Sequence, residues 1–299
     1  MTRTIRILVS ITLLGLFCSL PVSAQAGRLI FKADGGGLHQ SEADLSDSGG
    51  SFAVDRWFVS AGVDYAWDLR TSLGFSVGGG QSNYEFDDLA GGEPWNKIKD
   101  ARASVTWRFG FGETGSFILI PTARFNGESG ASSGDSSTYG LYAAAAWRIN
   151  ENLTVGPGLG VFSRLEDSTR IFPILVIDWN ISDRWNLSTG RGLAASQGPG
   201  LMLSYELNED WSLGLAGRYE DIEFRLDDEG PAAGGIGRDQ SMPFVFMATL
   251  EPSKKFSLSV FTGIELNGTL KLKDTLGDVV EESSYDPALL FGATFDVRF

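Results

Sequence analysis

Two residue types that build most metal and redox sites are almost absent from this sequence. It contains one cysteine, Cys18, and one histidine, His39. A chain with a single thiol near its start cannot form an internal disulfide framework or a cysteine-rich metal site. We therefore expect no metal and no cofactor.

Long apolar runs and positive charge are also scarce. After Leu20 no stretch reaches the ~20 apolar residues of a membrane-spanning helix, and the mean hydropathy is −0.02. The chain carries 24 basic and 38 acidic residues, which gives a formal net charge of −14. Nucleic-acid binding needs a basic surface, so the composition excludes nucleic acid as a partner.

The first 24 residues have the three parts of a secretory signal peptide. Arg3 and Arg6 give a positive start, Ile7 to Leu20 form a short apolar segment, and Val22-Ser23-Ala24 is a small-residue cleavage site. The sequence therefore predicts a signal peptide at 1–24 and a single exported domain at 25–299. This domain has no thiol, which fits a bacterial envelope protein.

The exported part instead shows a two-residue alternation of apolar and polar side chains, with turns that are alternately short and long. We predict an all-β, closed antiparallel transmembrane β-barrel of fourteen strands, with twelve strands as the alternative. Such strands average to low hydropathy because lipid-facing and lumen-facing residues cancel. The short turns are predicted at 68–70, 112–115, 150–152, 180–183, 208–210 and 251–255. The main long loops are predicted at 39–50, 87–99, 128–137, 227–239 and 271–284.

The last fifteen residues carry the clearest alternation and end on an aromatic residue. Phe299, Val297, Phe295 and Phe291 share one apolar phase. This segment resembles the terminal assembly signal of Gram-negative outer-membrane β-barrels; the alternative is a soluble edge strand. The resemblance implies a cell outer membrane protein with both termini in the periplasm. It also implies the barrel-assembly machinery, membrane lipid and lipopolysaccharide as partners.

Six tryptophans lie at or near the predicted short turns. Aromatic rings settle at the headgroup level of a bilayer, so we interpret them as a girdle on the periplasmic rim. The alternative is that they fill the bottom of a soluble barrel. The six are Trp67, Trp107, Trp147, Trp179, Trp185 and Trp211.

The opposite phase of the strands places charged residues in the lumen. Fourteen strands enclose more space than the ~8 whose side chains fill a barrel, so these residues could line a pore. The alternative is a network of ion pairs that closes the lumen. The candidate lining residues are Arg102, Arg108, Arg124, Arg148, Arg164, Arg218, Asp178, Glu206, Glu220 and Glu265.

Catalysis has little support in the sequence. Some outer-membrane barrels are lipid hydrolases with a His-x-Ser pair, and His39 and Ser41 have that spacing. A histidine base needs a partner that orients it, and the sequence identifies none. We therefore expect no enzyme activity. Acidic residues in the long loops could bind divalent cations between lipopolysaccharide molecules, but a solvated rim explains them as well.

The region from Arg28 to Phe299 resembles monomeric fourteen-stranded outer-membrane porins in size and anatomy. The stretch from Thr189 through Gly198-Pro199-Gly200 to Leu226 is also similar to an uncharacterised family of bacterial outer-membrane barrels. The leading hypothesis is a passive pore for small hydrophilic solutes or ions, formed by a monomer or small oligomer. The alternative is a non-conducting structural or surface-interaction barrel.

Overall fold

The computed structural model describes residues 27–89, 91–166, 168–189, 200–229 and 232–299. Within these ranges the chain forms sixteen β-strands and no helix. The strands are β1 (Arg28–Asp44), β2 (Ser51–Ala66), β3 (Ser72–Asp87), β4 (Lys97–Phe111), β5 (Gly115–Glu128), β6 (Ser137–Arg148), β7 (Leu153–Ser163), β8 (Thr169–Asn180), β9 (Trp185–Thr189), β10 (Gly200–Glu206), β11 (Trp211–Arg218), β12 (Glu220–Arg225), β13 (Ile236–Ser253), β14 (Phe256–Lys273), β15 (Val279–Tyr285) and β16 (Ala288–Arg298).

The predicted signal peptide at 1–24 lies outside the described residues. So do the end of the strand predicted up to Ala195 and the Gly198-Pro199 part of the family-like motif. Across the part of the chain that the structure describes, no helix is long and apolar enough to cross a membrane.

The sixteen elements make a closed barrel of fourteen antiparallel strands, as predicted. β11 and β12 pair with β13 in one unbroken register on either side of Tyr219, so they form one strand of the wall. β15 and β16 likewise continue each other along β14. The barrel closes where β1 pairs with β16, with Gly36 opposite Thr294.

The outer surface of the barrel is apolar, which is the reverse of a soluble protein. One phase of each strand faces outward, and on this phase most side chains are apolar. A monomer that is surrounded by water rarely exposes an apolar patch of more than a few hundred Å². This surface is that of a transmembrane β-barrel. Its large exposed side chains include Leu29, Phe31, Val59, Phe75, Val77, Val105, Leu159, Ile171, Leu175, Leu201, Leu215, Phe244, Phe246, Val260 and Leu289.

Connections alternate between the two ends of the barrel. The turn end carries the short connections at 67–71, 112–114, 149–152, 181–184, 207–210 and 254–255. The loop end carries the others. In the turn at 67–71, the backbone N–H of Arg70 donates to Asp68 (2.7 Å) and lowers the pKa of that carboxyl.

Several predicted loops are shorter than expected because strands continue beyond the apolar surface. The predicted loop 271–284 is mainly a hairpin, in which β14 and β15 pair and only residues 274–278 connect them. Lys271 and Glu282 face each other across this hairpin, 2.9 Å apart. The segment 271–284 has polar residues at both alternating phases, so its sequence predicted a loop. The loop predicted at 39–50 is likewise reduced to 45–50.

At the loop end, part of the wall leans into the lumen. We call this part the inner sheet: β12, residues 236–241 of β13, residues 268–273 of β14, and β15. The edge of β12 opposite β13 reaches β5 on the far side of the barrel, where Arg225 forms a parallel bridge with Gly127. The loop end is therefore narrower than the turn end.

The inner sheet bends away from the wall along one line that crosses four adjacent strands. β11 and β12 separate at Tyr219, and the pairing of β13 with β14 shifts between Gln240 and Met242. On β14 Asn267 has a positive φ of 53°, and residues 286–287 separate β15 from β16. At the β13–β14 shift β14 has one extra residue, and an extra residue bends a strand locally. We call this line the crease.

Candidate functional site

β12 divides the loop end into two compartments with different chemistry. Successive side chains of a strand point to opposite faces, so Phe224 lies on one face of β12 and Glu223 on the other. Phe224 is completely buried in an apolar cluster under the inner sheet. The cluster contains Ala43, Leu45, Phe52, Val54, Tyr84, Phe86, Trp95, Ile98, Phe224, Leu226, Leu270, Leu272, Tyr285 and Ala288.

A buried ion group lies beside this apolar cluster. The guanidinium of Arg56 is 2.7 Å from Asp239 and 3.4 Å from Glu220. The hydroxyls of Tyr84 and Tyr285 also donate to Asp239, at 2.9 and 3.1 Å. A charge buried in this way requires both a counter-ion and hydrogen bonds, and Asp239 has both. Apolar side chains and ion pairs together close this compartment.

The other face of β12 is charged and meets the β7–β8 hairpin. Asp221 pairs with Arg170 and with Arg238, and Glu223 pairs with Arg164. Lys273 also lies 3.3 Å from Glu223. Charged residues of opposite sign therefore line both sides of this compartment.

Two further contacts fix the tip of β12. The Arg225 guanidinium donates to the backbone carbonyls of Asp135 (3.1 Å) and Leu165 (2.6 Å). Glu128, at the end of β5 and beyond the apolar surface, accepts from the backbone N–H of Asn96 and of Asp227. Burial raises the pKa of Glu128, although the two N–H donors oppose that change.

Charged side chains are much more exposed at the turn end of the lumen. Lys32 and Asp64 form an ion pair there with 39% and 23% of their side chains exposed. In the ion group at the loop end, Arg56 and Asp239 are 8% and 1% exposed. The lumen is thus accessible to solvent from the turn end and closely packed at the loop end.

The predicted lining residues fall into three groups. Arg108, Arg148, Asp178 and Glu206 are exposed near the turn end. Arg102 and Arg124 are direct cross-strand neighbours on β4 and β5 at mid-lumen. The remaining residues, Arg164, Arg218, Glu220 and Glu265, belong to the ion pairs and hydrogen bonds of the loop end.

Two small cavities lie on opposite faces of β12: one includes Ile222 of the Phe224 face in its wall, and the other includes Asp221 and Glu223 of the charged face. One, of about 70 Å³, is lined by Arg56, Arg102, Arg124 and other residues. The second, of about 60 Å³, is lined by Arg164 and Glu223 among others. Both cavities include Arg124 and Asn126 in their walls, so they adjoin each other.

Sequence reasoning missed the inward course of β12, although a signal was present. The lipid-facing phase of the strand runs from Trp211 to Tyr219 and would continue through Asp221, Glu223 and Arg225. Three successive charged residues on that phase are incompatible with lipid. They mark the residue at which the strand leaves the membrane wall.

The predicted girdle tryptophans and the terminal phenylalanine are exposed on the outer side of the barrel. All six predicted girdle tryptophans are 40% to 47% exposed on the outer surface near the turn end. Their headgroup role stays a prediction. Phe291, Phe295 and Val297 lie on the lipid-facing phase, and Phe299 exchanges two backbone hydrogen bonds with Phe31. Recognition of this segment by an assembly machinery also stays a prediction.

The structure supplies the partner that the sequence could not name for His39. Its Nδ1 lies 2.8 Å from Oδ1 of Asp55 on the neighbouring strand. The hydroxyl of Ser41, however, accepts a hydrogen bond from the backbone N–H of Leu289 at 3.0 Å. Within the described residues, no group of three or more His, Cys, Asp or Glu side chains could hold a metal ion.

Several solved structures resemble this chain over most of its length. An outer membrane channel from Pseudomonas putida F1 is 14% identical with a TM-score of 0.48, over 94% of this chain and 97% of that chain. The P. putida toluene transporter TodX is 8% identical with a TM-score of 0.45, over 92% and 91%. A Pseudomonas aeruginosa FadL homologue is 12% identical with a TM-score of 0.41, over 91% and 89%. Likenesses at this level carry nothing on substrate or mechanism.

No curated protein sequence matches the chain. A protein-family model does match it, over residues 133–283, which are just over half of the chain and run from the β5–β6 connection to β15. The matched region includes β12, three of the four positions of the crease and most of the inner sheet. The chain therefore belongs to the family described as Domain of unknown function (DUF6268).

Proposed function

We propose that this barrel is an outer-membrane channel for small hydrophilic solutes or ions, and that they pass on the charged side of β12. The apolar side of β12 offers hydrophilic solutes no route, because Phe224 and the other buried apolar residues of its cluster line it. In this proposal the turn end and both termini face the periplasm. The protein acts as a monomer or small oligomer.

The observation that carries the proposal is the division of the loop end by β12. The charged compartment lies between β12 and the β7–β8 hairpin and holds the cavity of about 60 Å³, which adjoins the cavity beside Arg56 at Arg124 and Asn126. The exposed ion pair of Lys32 and Asp64 at the turn end supports a solvated lumen below. Cavities of 60 and 70 Å³ hold only a few water molecules. Solute passage therefore requires side chains of the Arg164–Glu223 group to move.

Planar-bilayer recording on the purified protein tests the proposal. We expect small, steady conductance from the wild type. Glu223→Gln breaks the pairs with Arg164 and Lys273, so it should raise the conductance and shift selectivity toward anions. Glu229→Gln removes the same charge from an exposed loop residue and serves as the matched control. A folded barrel that stays silent in the wild type and in Glu223→Gln would refute the channel.

A non-conducting structural or surface-interaction barrel is the second candidate. The dense ion pairing around Asp221 and Glu223 favours it, because these pairs fill the compartment that a solute would use. Under this alternative, breaking the pairs lowers stability and produces no conductance. The recordings above therefore separate the two functions.

We further propose that the protein has no enzyme activity and that His39 has a structural role on the outer surface of the barrel. Outer-membrane lipid, lipopolysaccharide and the barrel-assembly machinery are its proposed partners. The ring of His39 packs against Phe291, with the ring centroids 4.9 Å apart, which suits a structural role at the membrane surface. Phospholipid hydrolysis by the wild type that disappears in His39→Ala would contradict this proposal.

A further inference from the structure

The cavity of about 70 Å³ beside Arg56 has two further arginines in its wall, next to a glycine. Gly78, Arg102 and Arg124 are direct cross-strand neighbours in one row over β3, β4 and β5. The row continues to Ser60 on β2. Side chains at such positions lie on the same face of a sheet. Because Gly78 has no side chain, the space beside Arg102 stays open.

Positive charge exceeds negative charge in this wall. The charge of Arg102 acts on the guanidinium of Arg124, and like charges directly opposite each other on neighbouring strands are destabilising. Asp100, two residues before Arg102 on β4, attracts both guanidinium groups. Among the described residues, however, Asp100 forms no ion pair. Two arginines and one aspartate leave a net charge of +1, which one monovalent anion would neutralise.

The two guanidinium groups differ in how they are held. Arg124 donates to the hydroxyl of Tyr142 at 3.2 Å and lies 4.6 Å from the centre of the Phe162 ring. Arg102 is half-buried and, in the part of the chain that the structure describes, forms no hydrogen bond or ion pair. A guanidinium carries several N–H donors in a planar fork. The donors of Arg102 are therefore available to a ligand, beside an arginine whose orientation is already fixed.

We infer that this cavity binds a small monocarboxylate anion between the guanidinium groups of Arg102 and Arg124. A carboxylate accepts two parallel hydrogen bonds from one guanidinium, a geometry that a spherical ion cannot offer. The cavity has room for only a few water molecules, which limits the anion to a few non-hydrogen atoms, as in formate and acetate. It adjoins the proposed route at Arg124 and Asn126, but binding does not depend on conduction.

Titration of ¹³C-labelled formate against the purified barrel, in a buffer without chloride, tests the inference. We expect the broadening of the formate ¹³C resonance to be saturable. Arg102→Gln should weaken formate binding roughly tenfold or more, because charge-assisted hydrogen bonds are lost. Arg102→Lys keeps the charge without the planar fork and should weaken binding less. Arg28→Gln removes the same charge from an exposed position outside the cavity and should bind like the wild type.

Asp100 allows a test with the opposite sign. Asp100→Asn should tighten formate binding about twofold, because a unit charge about 10 Å away in water changes a binding constant by roughly that factor. Unchanged binding in Arg102→Gln, weaker binding in Asp100→Asn, or equal displacement of formate by chloride and by acetate would each overturn the inference. Formate binding by a barrel that is silent in planar bilayers would support the site and refute only the channel. Heat-modifiable gel migration verifies that each variant is folded.

Discussion

At the scale of single residues, burial decides what an ion pair in this lumen is worth. An exposed pair contributes little because water screens it. A buried pair has already lost its hydration, so removing one partner leaves a charge that nothing compensates. Arg56 with Asp239 is the buried case here, and Lys32 with Asp64 is the exposed case.

Arg56→Gln should therefore destabilise the barrel by about 3–5 kcal/mol, because Asp239 and Glu220 lose their shared cation. Lys32→Gln is the control and should cost no more than about 1 kcal/mol. Equilibrium unfolding in urea, with the barrel refolded into lipid vesicles, measures both. Equal losses in the two variants would mean that the loop end is as hydrated as the turn end.

Arg102 and Arg124 face each other directly across β4 and β5, which concentrates positive charge at one level of the lumen. A unit positive charge about 10 Å from a permeating ion in water favours an anion and disfavours a cation by roughly 0.4 kcal/mol each, which changes the ratio of their permeabilities by a factor of about four. Arg102→Gln should therefore lower the anion-to-cation permeability ratio about fourfold. Reversal potentials in a KCl gradient measure the ratio. Lys254→Gln, in an exposed turn, should leave it unchanged.

At the scale of elements, the crease explains how a membrane strand becomes a partition inside the lumen. Sequence alternation predicted β11 correctly, but it extended the same membrane-spanning strand to Leu226. The change at Tyr219 depends on where neighbouring strands also bend, and that is a tertiary property. In the sequence, only the three charged residues on the lipid-facing phase of β12 indicate that the strand turns inward.

Asn267 is the position where the crease should be most sensitive to substitution. Its φ of 53° is left-handed, a conformation that asparagine tolerates and β-branched residues do not. Asn267→Val should cost about 1–2 kcal/mol, whereas Asn267→Gly should be nearly neutral. Thermal unfolding followed by heat-modifiable migration compares them. If Val and Gly behaved alike, the crease would not need this backbone conformation.

At the scale of the whole molecule, the sequence predicted the architecture better than the interior. Strand number, closure and the outward phase follow from local alternation, and the structure confirms them. The pairing of Arg164 with Glu223, and of Arg56 with Asp239, joins residues far apart in the chain. A single sequence cannot tell which inward arginine meets which carboxylate. For the same reason, the sequence did not predict that Trp95 packs against Phe224.

Closure of the barrel at Phe299 permits a test that separates assembly from stability. Phe299 shares two backbone hydrogen bonds with Phe31, and its ring is 67% exposed on the outer surface. Replacing its side chain therefore removes little packing within the protein. The free energy of unfolding of Phe299→Ala, refolded in vitro, should lie within about 0.5 kcal/mol of the wild-type value. In cells it should reduce the folded fraction several-fold if the assembly machinery recognises this ring. Phe31→Ala, which changes an outward phenylalanine on the adjoining strand, should assemble normally. A large loss of stability in Phe299→Ala, or equal assembly of the two variants, would show that the terminal ring serves structure and is not a recognition signal.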